Sequence, residues 1–462
     1  MYIKEYSCSS ITIYVDLRKN IENLRLRRYV YMSNSISFIH LSDIHFRKFS
    51  NDKFDIDNDL RNEIINDIDK NSKIHLENIK GILVCGDIAF SGQEKEYEVA
   101  QDFLREICNV LSIPETSVYC VPGNHDVNQN IPYRGSIIHL MQSELEKAST
   151  SDEIDAKLAG YSRDKSSDDI LFKHIETYNT KFAGKFGCNI NTEKPNWELN
   201  FELDTKHTLR IYGLNSVVIS NIDDHKDESK DKPMIIGRYQ VPKREDGVVY
   251  MSLCHHPPEC WNDPNNDLQK ILNKRVNIQL YGHKHVQEIK QIGNSLIVGS
   301  GATHPSRFES DWNPRYNWIN IKIEDYLDEP HLHVKIYQRV LSPDGDEFVP
   351  DNEEVKEYEI RLNNVNLDHD KNEIENNNVI CGNYKLDEED SSVRQINVDT
   401  QTIVYRFLEL PFVIQTLILS KYGLLDEYDE GKKYVNIIDK IIEKAKRLDC
   451  LDKLLEEINK NY

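Results

Sequence analysis

Five short polar clusters punctuate this 462-residue chain, and each follows directly on an apolar run that reads as a strand. They are Asp43-Ile44-His45 after SFIHLS, Gly86-Asp87 after ILVC, Gly123-Asn124-His125-Asp126 after SVYCVP, His255-His256 after VVYMSLC, and Gly282-His283-Lys284-His285 after NIQLY. Helical stretches through Leu60 to Ile68 and Tyr97 to Val110 separate the first strands, and strand-helix-strand order specifies a layered α/β domain. Open α/β sheets carry their ligands at the carboxyl ends of the strands. A fold with this order therefore brings the clusters to one edge.

The residue types there are metal donors. In an extended segment residues i and i+2 share a face, so Asp43 with His45, and His283 with His285, can each reach one ion. Asp87 has two oxygens and can bridge two cations, and Gly86 before it permits a tight strand exit. Asn124 offers a neutral oxygen. His125 beside it is placed to touch substrate, and Asp126 to accept a hydrogen bond from a ring nitrogen of His125, which would fix its tautomer. Neighbours in a strand point to opposite faces, so one of His255 and His256 faces the metals and the other a second layer. Such donors can hold two divalent ions about 3.5–4 Å apart. Imidazole with carboxylate suits manganese, iron or zinc better than calcium.

In order and in residue type the five motifs resemble the calcineurin-like metallophosphoesterase family, over residues 36 to 340. The resemblance implies one ion held by Asp43, His45, Asp87 and His285, and a second by Asp87, Asn124, His255 and His283, with Asp87 bridging. It favours His255 over His256 as the ligand. It further implies a hydroxide between the ions that attacks phosphorus in line, and a catalytic pair in which His125, oriented by Asp126, stabilises transition-state charge or protonates the leaving oxygen. The expected protein is a metal-dependent phosphoesterase acting on phosphodiesters, either nucleotides or nucleic-acid ends. Manganese is the expected ion, with iron, zinc, nickel or magnesium as alternatives. A phosphomonoesterase or protein phosphatase is the nearest rival. A partner-recruiting defence or signalling protein is the rival from another class.

Further strands are expected at 197 to 204, 208 to 216, 248 to 254, 276 to 281, 295 to 299, 317 to 323 and 332 to 340. They imply a second sheet, and hence a four-layer αββα sandwich. Between Asp126 and His255 lies more chain than a compact core needs. Residues 127–196 are expected as an inserted helical cap, with apolar residues at 171, 172, 175, 178, 182 and 186 on one face of a helix from Asp168 to Phe186. The remaining divisions are an N-terminal extension over 1–31, the catalytic domain over 32–340, an acidic linker over 341–400 and a small all-α domain over 401–462. Leu417, Leu424, Ile438, Ile441, Leu454 and Ile458 are expected to share that last domain's core. Its run from Leu410-Pro411 through KYGLL to AKRLDCLDKLLEEI looks like the helical adaptor or effector-associated domains of bacterial conflict and signalling proteins, which implies a protein partner.

A formal net charge of -21 argues against a broad electropositive surface tracking nucleic acid. No run approaches the length of about 18 apolar residues that spans a bilayer, and the opening residues lack a basic start followed by an apolar core. A cytoplasmic bacterial protein without membrane contact is expected. The nine cysteines never form Cys-x-x-Cys and read as reduced core residues. Arg134, Arg238 and Arg307 are candidate phosphate forks, and His304 is a candidate rim residue.

Overall fold

A computed structural model describes residues 3–8, 11–16, 35–48, 55, 57–131, 136–163, 168–192, 194–225, 233–263, 265–306, 312–326, 329–351, 355–362, 398–426, 429 and 432–462. Strands β1 (Ile3–Cys8) and β2 (Ile11–Asp16) pair with each other as an antiparallel hairpin. The rest of the extension expected over 1–31 lies outside the described residues, as do 363–397 of the expected linker.

Two sheets form the body. The first contains β3 (Ile36–Leu41), β4 (Ile79–Val84), β5 (Val118–Cys120), β12 (Arg315–Tyr326), β13 (Glu329–Leu341), β14 (Phe348–Pro350) and β15 (Lys356–Arg361). Its order is β14-β13-β12-β3-β4-β5, with β15 also paired to β13; β3, β4 and β5 run parallel, while β12 and β13 return antiparallel. The second sheet, ordered β10-β11-β9-β8-β7-β6, contains β6 (Trp197–Glu202), β7 (Thr208–Gly213), β8 (Val248–Cys254), β9 (Ile278–Tyr281), β10 (Ile289–Ile292) and β11 (Ser295–Gly299). The first sheet continues past residue 340, where the sequence pattern placed the end of the domain. KEYEIR of β15 gains its pairing from β13 rather than from any hydrophobic pattern of its own, since only Ile360 in it is buried.

Side-chain alternation along the strands builds the layers. In β8, Val249, Met251 and Leu253 join the core between the sheets, while Tyr250 and Cys254 join a second cluster with Leu268 and Leu272 of the helix Asp267–Arg275. Across the sheets Phe38 meets Phe201 at 5.3 Å between ring centroids, and the Trp197 indole donates to the Cys120 carbonyl at 2.9 Å. Helices α1 (Asn58–Asp67), α2 (Lys73–His75) and α3 (Glu94–Leu111) flank the first sheet, with Leu60, Ile64, Phe103 and Leu104 in the core. The expected αββα arrangement is the one observed. Cys85, Cys108, Cys120, Cys188, Cys254, Cys260 and Cys450 are buried and free.

The segment expected as a cap holds α4 (Ile137–Glu146), α5 (Ser151–Arg163), α6 (Asp168–Leu171) and α7 (Glu176–Lys181). The single helix expected over 168–186 is broken into α6, α7 and two 3-10 turns. Across the break Leu171, Phe172, Ile175, Tyr178, Phe182 and Phe186 still share one core. The segment is anchored on the flank of the sheets: Tyr97 stacks on Phe182 at 5.4 Å, and Tyr178 donates to Cys120 Sγ at 3.3 Å.

That flank also seats the C-terminal helices α9 (Val398–Glu409), α10 (Phe412–Lys421), α11 (Tyr434–Arg447) and α12 (Leu451–Asn461), which follow α8 (Asp267–Arg275) in the chain. The four terminal helices have their own core, including Phe407, Leu419, Leu424, Ile441 and Ile458. Leu417, expected in that core, is 61% exposed. Tyr405 enters the main core beside Phe186, Gln401 donates to the carbonyls of Thr116 and Phe186 at 3.0 and 3.1 Å, and Lys433 pairs with Glu176. Among the described residues no helix is long and apolar enough to cross a membrane.

Candidate metal centre

The exits of β3 and β4 run side by side. Asp43 N donates to Gly86 O at 3.1 Å, His45 N to Asp87 O at 2.9 Å and Phe46 N to Ile88 O at 2.9 Å. The backbone here is not extended, as the i, i+2 argument assumed. Asp43 and His45 both have φ of 53°, Asp87 52°, His283 69° and His285 55°, all in the left-handed region. Each such non-glycine residue costs roughly 1–2 kcal/mol relative to ordinary backbone. Five expected ligands share it, so the strand ends are bent to turn donors inward. Gly86 at φ +87° belongs to the same exit, and a Cβ there would sit 2.6 Å from His255 Nδ1.

Asp87 occupies the middle. Its Oδ2 lies 3.2 Å from His45 Nε2 and 3.3 Å from His255 Nε2, and its Oδ1 accepts from His125 N at 2.8 Å. It thus touches members of both expected ligand sets, as a bridging carboxylate must. His285 Nε2 is 3.5 Å from Asp43 Oδ1, and Asn124 Oδ1 is 3.0 Å from His255 Nε2. His283 N donates to both Asp43 oxygens at 3.1 and 3.2 Å. Ligand atoms of Asp43, His45 and His285 lie within 4.8 Å of one another, as do those of Asp43, Asp87 and His255, and those of His255, His256 and His283.

Electrostatics follow from this packing. Burial pushes the Asp43 carboxyl up, but the hydrogen bond and charge of His285, with His255, outweigh it and bring it to about 2. Burial likewise opposes ionisation of Asp87, yet the His255 and His125 rings hold it well below the usual range. Burial lowers His255, while Asp87 raises it further, to about 9. His283 is lowered to about 4 by burial and by His255. Two fully buried carboxylates thus face imidazoles, and among the described residues neither has a lysine or arginine partner. The donor set of carboxylate, amide oxygen and imidazole fits divalent transition ions.

One expectation fails. Asp126 does not touch the His125 ring; His125 Nδ1 instead bonds the Phe90 carbonyl at 2.8 Å. The 3-10 turn over Asn124–Asp126 directs the Asp126 carboxylate inward, where it accepts from the backbone N–H groups of Ile88 at 3.2 Å, Ala89 at 2.9 Å and Gly123 at 2.9 Å, and from Tyr97 OH at 3.1 Å. It staples the exit of β4 to that of β5. Burial, then the charge of Asp87, pushes its pKa up to about 7 against those backbone bonds.

The sequence reading missed four groups that hold the site. The Phe90 carbonyl fixes His125, and Ser216 after β7 bonds His256 Nδ1 at 2.9 Å. Thr303 Oγ1 accepts from Ser42 N at 3.1 Å, and the Cys85 carbonyl bonds His255 Nδ1 at 2.8 Å. Two of these are main-chain atoms, for which no residue type gives a signal. His304 N donates to Asp43 O at 3.1 Å and its ring lies 3.4 Å from Asp57. Arg238 is committed to Asp152 and Asp155, away from the ligands, and Arg134 and Arg307 lie outside the described residues.

A family model described as calcineurin-like phosphoesterase matches residues 36–287, more than half of the chain. The chain belongs to that family. It is a metallophosphoesterase, a hydrolase of phosphate esters. A model described as GTPase-associated adaptor domain matches residues 399–460. An uncharacterised protein of Acanthamoeba polyphaga mimivirus is 26% identical over 225 residues, 44% of this chain and 73% of its own length. Among solved structures, vacuolar protein sorting 29 from Cryptosporidium parvum is similar at 12% identity, with a TM-score of 0.30, over 71% of this chain and 99% of that one. A conserved uncharacterised protein from Streptococcus pneumoniae matches at 12% identity and a TM-score of 0.27, over 70% of this chain and 98% of its own. These structural scores add nothing to the family match.

Proposed function

We propose that this metallophosphoesterase is a phosphodiesterase for nucleotides or nucleic-acid ends, that it uses two divalent ions, and that manganese is the working metal. One ion would be held by Asp43, His45, Asp87 and His285, the other by Asp87, Asn124, His255 and His283. Divalent ions bound there would supply Lewis acidity toward the phosphoryl group and a nucleophilic water at neutral pH.

The observation that favours a diester is the commitment of the buried cations. Among the described residues the buried arginines are paired with carboxylates, Arg61 with Asp55, Arg210 with Glu245 and Arg339 with Asp67. A monoester dianion gains most from an uncommitted guanidinium fork; a diester monoanion needs less. His125 contributes the proton chemistry. Its Nδ1 donates to the Phe90 carbonyl, so a proton given or taken by this ring moves at Nε2. The ring lies 4.6 Å from that of His45, next to the expected ligands, and Nε2 is the atom suited to protonate a leaving oxygen.

Metal-stripped protein resupplied with manganese, iron, zinc, nickel or magnesium should hydrolyse bis(p-nitrophenyl) phosphate faster than p-nitrophenyl phosphate, and the Asp87→Ala variant should hydrolyse neither. Turnover of the monoester with none of the diester would defeat the substrate assignment while leaving the enzyme class intact.

A second role for residues 401–462, recruiting a protein, is supported by the adaptor-domain match and by the exposure of Phe412, Val413 and Leu417 on one helix. Serine at those three positions should abolish cellular function with hydrolysis unchanged in vitro. Retained cellular function would oppose this reading.

A further inference from the structure

His256 is buried to 1% exposure, beside the ligand His255 and outside the ligand set that the motifs imply. Its Nδ1 lies 2.9 Å from Ser216 Oγ, which also accepts from His256 N at 3.2 Å. A serine oxygen has two acceptor sites and one proton to give. The Cys254 side chain is within hydrogen-bond reach of Ser216 and can take that proton. Ser216 can therefore accept from both the His256 backbone N–H and Nδ1–H, which leaves Nε2 as a lone pair.

That lone pair has no hydrogen-bond partner among the described residues, although it is buried. It points into the centre: the His256 ring is 4.4 Å from that of His283, and the ligand atoms of His255, His256 and His283 lie within 4.8 Å of one another. His255 is built the same way, with Nδ1 on the Cys85 carbonyl and Nε2 turned to Asp87 and Asn124. An anchored Nδ1 with Nε2 turned inward is how a metal-ligating imidazole is held. A buried unpaired nitrogen in that position calls for an acceptor of its lone pair.

We propose that His256 Nε2 is an additional donor to the ion held by His255 and His283, with Ser216 setting its tautomer. This rests on the two-ion reading above. The third imidazole makes that site richer in nitrogen than the Asp43, His45 and His285 site, so the two positions differ in their preference for borderline metals such as cobalt or zinc over magnesium.

The test is cobalt(II) titration of the metal-free full chain, followed by calorimetry, visible absorbance and proton NMR of the hyperfine-shifted imidazole N–H signals. The wild type is expected to bind two ions. His256→Gln should weaken one of them at least tenfold, leave the other unchanged, and remove one shifted N–H signal. Ser216→Ala keeps the imidazole but frees Nδ1, and should weaken the same ion by a smaller factor; it also serves if His256→Gln does not fold. Affinities within twofold of wild type in both variants, with every shifted signal retained, would overturn the proposal. His255→Gln is the control: loss of the ion there but not in His256→Gln defeats the His256 assignment alone, whereas a wild type that binds no cobalt defeats the two-ion reading itself.

Discussion

Asp126→Asn separates a structural staple from a catalytic partner. The carboxylate receives two donors on each oxygen, Ile88 N and Gly123 N on Oδ2, and Ala89 N and Tyr97 OH on Oδ1. A carboxamide keeps one acceptor oxygen and presents N–H groups to the other two donors. Both lost donors are buried, and each unsatisfied one costs about 1–3 kcal/mol, so the substitution should destabilise by roughly 2–6 kcal/mol. At roughly 2–4 °C per kcal/mol for a larger domain, that lowers Tm by about 4–24 °C. Urea and thermal denaturation of the metal-free protein measure it. Because the His125 ring is held by the Phe90 carbonyl, the folded fraction should keep the wild-type kcat per folded molecule. Unchanged stability together with a loss of kcat would refute this reasoning and restore Asp126 as the partner of His125.

Gly123→Ala should abolish binding of both ions, since a Cβ there would overlap Asp87 Oδ1 and displace the shared carboxylate; calorimetry of the metal-free variant shows it, and two ions bound normally would contradict it. His255 is held protonated up to about 9 by Asp87 in the metal-free protein, and an ion needs the neutral ring. Apparent metal affinity should therefore rise about tenfold per pH unit from about pH 7 to 9 and then level. By linkage the same raised pKa stabilises the metal-free fold fully below about 6.5, a contribution lost as pH rises through 9; an affinity independent of pH would count against the Asp87–His255 pair. Asp67→Ala strands the buried Arg339, which bonds Asp67 through Nε at 2.9 Å, and should cost about 3–5 kcal/mol in urea denaturation with metal binding retained in the folded protein. A cost under about 1 kcal/mol would mean that Arg339 reaches solvent or another acid.

The convergence of the candidate donors was legible because its signal is doubly local. Each donor sits within a few residues of the end of an apolar run, and the fold places strand ends together, so Asp43, Asp87, Asn124, His255 and His283 converge without any knowledge of their contacts. How the backbone presents them was not legible. The left-handed turns at Asp43, His45, Asp87, His283 and His285 are set by bonds such as His45 N to Asp87 O, between segments that only the folded sheet brings side by side. Asp126 was misassigned for the same reason: adjacency to His125 suggests a contact, while the 3-10 turn sends the two side chains to different layers. The break of the 168–186 helix and the exposure of Leu417 share another cause. Periodicity identifies an apolar face but not what covers it, and α7 serves both the main core and the C-terminal helices.

The most direct measurement is diester hydrolysis against equivalents of manganese added to the metal-stripped protein, with bound metal counted in parallel. Two ions sharing Asp87 predict activity that climbs to a plateau at two equivalents per chain, and Asp87→Ala that neither retains two ions nor turns over. Hydrolysis by the stripped protein, or full activity at one equivalent with no second ion bound, would contradict the two-ion centre.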